Sequence, residues 1–215
     1  MFHYIKDKEF LNKLKSACAD IVNQLVQRIN NDSVMEVEAH LVGSGARNLI
    51  TQNAEEPIDL DYNLHIIRFK ISIRDGREIK EYIRKQFNAV LNRNGWGDCK
   101  DSTSVLTTKK RHFIKGNHTE FSIDLAIVFY DGFTWQRLIH EKHGMVLFDR
   151  YYWNPVTNSG GLVDRASAIK AEGLWTEVRK AYLEKKNMYL QRADHNHPSF
   201  NVYVESVNQV YNSNF

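Results

Sequence analysis

Ile58-Asp59-Leu60-Asp61-Tyr62-Asn63-Leu64-His65-Ile66 alternates without a break. A period of two marks a strand with one face in a core, because successive side chains leave the pleat on opposite sides. Ile58, Leu60, Tyr62, Leu64 and Ile66 form the buried face, and Asp59, Asp61, Asn63 and His65 form the other. Two carboxylates therefore project from one face, roughly 7 Å apart at Cα by the strand rise.

Working outward, Val34 to Val42 is expected to be a strand that runs into the turn Gly43-Ser44-Gly45, and Gly76 to Leu91 returns to helical spacing through Ile79, Ile83, Phe87 and Val90. Upstream, Leu11, Leu14, Cys18, Ile21 and Leu25 recur at three- and four-residue steps between Phe10 and Ile29, a long amphipathic helix whose stripe is core packing or an oligomer seam. Asn30-Asn31-Asp32-Ser33 ends it, since short polar side chains bond their own backbone and favour turns. Downstream, Val105 to Thr108 is β-prone, Lys109-Lys110-Arg111 and Gly116-Asn117 mark an exposed basic hairpin-like region, and Glu120 to Tyr130 reads as another strand. Residues 131 to 160 read as aromatic-rich and irregular, with turns at Asp131-Gly132 and Asn158-Ser159-Gly160-Gly161. Leu162 to Leu190 is expected to be helical, in two pieces meeting near Gly173, and Phe200 to Tyr211 is a helix or a strand. The expected division is 1–145, a sheet-containing core with the amino-terminal helix, and 146–215, mainly helical.

Asp124 is the one charge inside the apolar run around Phe121 to Tyr130. A lone carboxylate there is costly to bury without a partner or a cation. If its strand neighbours the alternating one, three acidic groups converge and repel one another unless divalent cations join them, and oxygen ligands favour Mg²⁺ or Mn²⁺ over zinc. Fourteen residues separate Ser44 from Asp59. Glycine allows close backbone approach, and N–H groups with a hydroxyl suit phosphate oxygens, so Gly43-Ser44 is a candidate phosphate cradle ahead of a candidate metal cluster. The cations Arg47, Lys109, Lys110, Arg111 and Lys115 are candidates to screen a triphosphate.

Leu41-Val42-Gly43-Ser44-Gly45-Ala46-Arg47, Ile58-Asp59-Leu60-Asp61-Tyr62-Asn63-Leu64 and Phe121-Ser122-Ile123-Asp124-Leu125-Ala126-Ile127, in that order, resemble the nucleotidyltransferase superfamily of the DNA polymerase β type, in a small bacterial form. The resemblance covers about residues 35 to 130, and the spacing from Ser44 to Asp59 is at the long side of the family's range. It implies an α/β (α+β) fold, a palm with a mixed curved sheet flanked by helices, and a helical carboxy-terminal portion. It also implies an Mg²⁺-dependent (or Mn²⁺-dependent) enzyme that moves a nucleoside monophosphate from a nucleoside triphosphate, such as ATP, to a hydroxyl, with release of pyrophosphate. By the same resemblance Asp59, Asp61 and Asp124 are the metal-binding catalytic residues, Asp124 also the general base, and Gly43, Ser44, Arg47 and Lys109 contact the nucleotide. The acceptor is left open among a second nucleotide, a small molecule, a protein hydroxyl and an RNA end. A second reading from another class is a nucleotidyltransferase-fold regulatory module, an antitoxin-like partner of a toxin.

Other signals exclude more than they assign. The 29 Lys+Arg against 26 Asp+Glu leave a charge of +3, which argues mildly against an extended RNA footprint. Leu125 to Tyr130, the longest apolar run, is far short of the about 20 residues a spanning helix needs, and the amino terminus has no signal-like order, so a cytoplasmic, non-membrane protein is expected. Cys18 reads as core and Cys99 is left open; the two are not spaced as a metal pair. His65 reads as bonded to structure, while His140, His143, His195 and His197 show no metal-ligand pattern. Trp96, Trp135, Tyr151, Tyr152 and Trp153 read mainly as packing, with base or sugar stacking as the alternative.

Overall fold

In the computed structural model, which describes every residue except 73–74, 157–160 and 195–196, the alternating segment is an interior strand of a mixed sheet. In chain order the elements are β1 (Phe2–Tyr4), α1 (Lys8–Asn30), β2 (Met35–Leu41), the single turn α2 (Gly43–Ala46), β3 (Thr51–Asn53), β4 (Ile58–Phe69), α3 (Gly76–Arg93) and β5 (Lys100–Asp101). They continue with β6 (Leu106–Thr107), β7 (Phe121–Tyr130), β8 (Trp135–Glu141), a 3-10 turn at Val146–Phe148, β9 (Arg150–Pro155), α4 (Leu162–Ala171), α5 (Trp175–Gln191) and α6 (Ser199–Asn214). The chain forms two compact units. Asp7–Gly45 and Pro57–Val156 make one, and Met1–Lys6, Ala46–Glu56 and Thr157–Phe215 make the other.

In the first unit Asp7 starts α1 by accepting the Phe10 amide at 2.9 Å, which satisfies one of the free donors at a helix start. The helix buries Phe10, Leu14, Cys18, Ile21, Val22, Leu25 and Ile29, each large side chain contributing ~1.5–3 kcal/mol on leaving water. Asn30 then bonds both backbone groups of Val37, at 2.7 and 2.9 Å, and so fixes the helix end to β2. Asp75 caps α3 in the same way as Asp7 caps α1. The sheet runs β2-β4-β7-β6-β5, with β8 paired to β7 and β9 to β8. Only β4 and β7, of these pairings, are parallel, and α3 lies on the crossover that joins them, as a parallel connection requires. Helix α1 packs against β2 and α3, and α3 against β8 and β9. Leu60, Leu64, Ile66, Ile123, Leu125 and Ile127 are buried on the apolar face of β4 and β7.

Residues 131 to 160, expected to be irregular, contain β8 and β9, and the sheet thus continues past residue 145 to Pro155. The alternation of β8 is masked because its buried side carries Leu138 and also His140. His140 is kept there by two carboxylates, Asp101 at 2.7 Å and Asp149 at 2.9 Å. Lys80, also buried, pairs with Asp101 at 2.6 Å, so the lysine and the aspartate offset one another.

In the second unit, β1 and β3 pair antiparallel. Leu49, Leu162, Ile169, Val178, Tyr182, Val202, Val207 and Val210 form its core with neighbouring side chains of α4, α5 and α6. The break between α4 and α5 falls at Gly173, as its spacing suggests, with φ +72 in the left-handed region that glycine adopts without strain. The carboxy-terminal segment left open as helix or strand is the helix α6. Among the described residues no helix is long and apolar enough to cross a membrane.

Candidate active site

Strand β4 places Asp59 and Asp61 on the sheet face opposite its buried Ile58, Leu60 and Tyr62. The parallel register then decides what stands beside them. Asp61 is directly across from Asp124 of β7, and Asp59 is across from Ser122. Parallel strands lie about 4.8 Å apart, so the backbone brings all three aspartates to one stretch of one face. The third neighbour is β6, where Thr107 is paired with Asp124.

Two hydroxyls hold two of these carboxylates. Thr107 Oγ1 donates to Asp124 Oδ1 at 2.6 Å, and Ser122 Oγ donates to Asp59 Oδ1. Burial pushes the Asp124 carboxyl above its ordinary range; the Thr107 bond opposes that shift, and the negative charge of Asp59 adds to it. Neither hydroxyl was singled out from the sequence. Ser122 had a signal in its placement two residues before Asp124 on the same strand face, whereas Thr107 depends on a pairing that the sequence does not display.

Gly43 abuts the third carboxylate. It has φ +62, and a Cβ added there would fall within van der Waals contact of Asp61 Oδ2, so a side chain is excluded twice. The amide of Val42 donates to the Asp61 carbonyl at 2.8 Å and fixes the start of the Gly43-Ser44 turn beside β4. Lys109, exposed, follows Thr107 by two residues and lies against Gly97. Arg47 belongs to the second unit, where its guanidinium lies 4.4 Å from the centre of the Tyr203 ring and its carbonyl accepts from Trp175 Nε1. Arg111 is used in packing, over Trp96 and bonded to the Gly95 carbonyl.

Further along the same face, Glu38 of β2 is opposite His65 of β4, and His40 is opposite Asn63. Glu38 Oε1 is 2.8 Å from His65 Nδ1 and 3.1 Å from His40 Nε2, and these hydrogen bonds hold the Glu38 carboxyl below its ordinary range. Glu38, His40 and His65 are a candidate divalent-metal ligand set, with donor atoms all within 4.8 Å of one another; among the described residues the three aspartates do not form so tight a group. His65 is thus bonded to structure, as expected. Most of the aromatic candidates are packing: Trp96 meets Phe121, Tyr151 stacks on His140 and Trp153 meets Phe129, while Tyr152 is half exposed. His197 bonds Asp194 and Glu205, and His195 lies outside the described residues.

No protein-family model matches the sequence, and no curated protein is similar to it at the sequence level. Solved structures are similar in fold. E. coli MS115-1 CdnC with ATP superposes with a TM-score of 0.60 at 14% identity, over 95% of this chain and 61% of that one. A mutant of the Vibrio cholerae dinucleotide cyclase DncV in complex with ATP and GTP gives 0.63 at 10% identity, over 97% and 70%. The protein has a nucleotidyltransferase fold. V. cholerae DncV, the cyclic AMP-GMP synthase, with the linear intermediate 5′ pppA(3′,5′)pG, gives 0.52 at 10% identity over 83% of this chain and 61% of that one. The chain spans about three fifths of the CdnC chain's length.

Proposed function

We propose that the protein is a metal-dependent nucleotidyltransferase that moves a nucleoside monophosphate from a nucleoside triphosphate to a hydroxyl and releases pyrophosphate. The observation that carries this reading is the register of Asp61 against Asp124, with Asp59 two residues away on the same face and Gly43 closed onto Asp61. Oxygen-only donors fit a hard cation such as Mg²⁺ or Mn²⁺, and Asp59, Asp61 and Asp124 would hold it. When bound, such a cation neutralises phosphate charge and makes an acceptor hydroxyl more acidic.

The chain's own groups have separate parts. Gly43, having no side chain, lets a phosphate come close to the turn, and Ser44 and Lys109 add a hydroxyl and a charge for the leaving phosphates; Arg47 belongs to the same proposal as a further cation. Asp124 takes the proton from the acceptor hydroxyl. Ser122 and Thr107 fix Asp59 and Asp124 in one rotamer each, which lowers the cost of assembling the site.

The acceptor we favour is the hydroxyl of a second nucleotide. Support comes from the fold shared with V. cholerae DncV, a cyclic AMP-GMP synthase. The weak net charge of +3 argues against an RNA acceptor held over an extended footprint. The test is incubation with each labelled nucleoside triphosphate and Mg²⁺ or Mn²⁺, singly and in pairs, followed by separation of products. A labelled product larger than its substrate, formed from nucleotides alone, is the predicted result; pyrophosphate released only when a non-nucleotide acceptor is added would move the acceptor elsewhere.

A further inference from the structure

We propose that Glu38, His40 and His65 form a binding site for a d-block divalent cation of the zinc class, separate from the three aspartates. Glu38 and His40 are two apart on β2 and project from one face, and the antiparallel register sets His65 of β4 directly opposite Glu38. The two contacts of Glu38 Oε1, 2.8 Å to His65 Nδ1 and 3.1 Å to His40 Nε2, are close to the roughly 3.3 Å that separates donors around a tetrahedral ion with bonds of about 2.0–2.1 Å. Small side-chain rotations, with no backbone movement, turn the hydrogen-bonded set into a ligand set.

The donor types choose the ion. Two imidazoles and a carboxylate suit zinc and its first-row neighbours, whereas Mg²⁺ prefers oxygen ligands and retained water. His65 is four residues beyond Asp61 on β4, roughly 13 Å by strand rise, so a cation here is not the one proposed for the aspartates. The site is open to solution, since the side chains of Glu38 and His40 are about half exposed.

A second observation points to a ligand. Asn63, directly opposite His40 and on the same face between Asp61 and His65, has a buried Oδ1 with no hydrogen-bond partner. A buried acceptor left unmade costs free energy, and a water on the ion is a donor that would satisfy it. On the other side the ring of Trp135 stands edge-on to His65, 4.5 Å between centres, and limits the rotation of the imidazole.

The experiment is a cobalt titration of the untagged chain, read by the visible absorption of tetrahedral Co²⁺ and followed by competition with Zn²⁺ and with excess Mg²⁺. The predicted result is one equivalent of absorbing Co²⁺, displaced by Zn²⁺ and not by Mg²⁺. His40→Gln and His65→Gln are each predicted to weaken binding by about tenfold or more, and Asp124→Asn to leave it unchanged. His40 is exposed, so its variant tests the site with the fold kept, as circular dichroism will verify. Absence of the cobalt band, binding unaffected in both histidine variants, or binding lost in Asp124→Asn would each overturn the proposal. Because none of these readouts uses nucleotide turnover, its failure is separate from failure of the proposed enzymatic function.

Discussion

The two acidic groups of the sheet unit differ in what surrounds them. Asp101 and Asp149 meet Lys80 and His140, so that each carboxylate has a basic group at hydrogen-bonding distance. Asp59 and Asp124, in contrast, accept from the neutral hydroxyls of Ser122 and Thr107, and Asp124 is raised by burial with the charge of Asp59 adding to the shift. A group supplied with basic partners stabilises structure. A group given hydroxyls instead keeps its negative charge for something brought from outside, at a cost to the folded state.

Exchange experiments separate the two. The largest effect is predicted for Asp124→Asn: nucleotidyl transfer falls by at least about a thousandfold, because a charged group at the reacting centre is lost, while thermal stability stays the same or rises because a disfavoured buried charge has gone. Pyrophosphate release and thermal melting, measured on the same sample, check both halves. Lys80→Met is predicted to do the opposite. It leaves Asp101 without its lysine and lowers unfolding free energy by about 3–5 kcal/mol in denaturant titration, with activity per folded molecule retained.

Thr107→Val comes next, with activity predicted to fall roughly 10–100-fold as Asp124 loses its orienting bond. In the metal-free protein the hydrogen bond holds the Asp124 pKa down, so its removal raises that pKa further, as titration of the carboxyl by NMR will register. The smallest effect concerns Asp149, whose carboxyl is held below its ordinary value by bonds from the His143 amide and His140. A carboxylate lowered in the folded state contributes stability that is present above its unfolded pKa and lost as pH falls through the folded one. Acid unfolding below about pH 4 should therefore be less steep in Asp149→Asn than in the wild type.

These contrasts also explain what could be read before the fold was known. The alternation from Ile58 to Ile66 showed the strand and the common face of Asp59 and Asp61, because side-chain direction follows directly from a period of two. Asp124 stood out as a charge in an apolar run. Its register with Asp61 was not legible, since it is set by the α3 crossover and by long-range packing. Thr107 was hidden for a related reason: its role depends on β6 pairing with β7, and threonines are common in strands. The group around His140 obscures the sheet itself, because a buried histidine and its carboxylates break the alternation, and β8 with β9 reads as irregular. Glu38 and His40 drew no notice because they lie in a strand without clean alternation, and only the β2–β4 ladder brings them to His65.

Pyrophosphate release by the wild type and by Asp61→Asn, with Mg²⁺ or Mn²⁺ and the four common nucleoside triphosphates, tests the central claim most directly. The account predicts release by the wild type that depends on the cation and is lost in the variant. Release that persists in Asp61→Asn, or a wild type that neither releases pyrophosphate nor binds a metal–nucleotide complex, would contradict it.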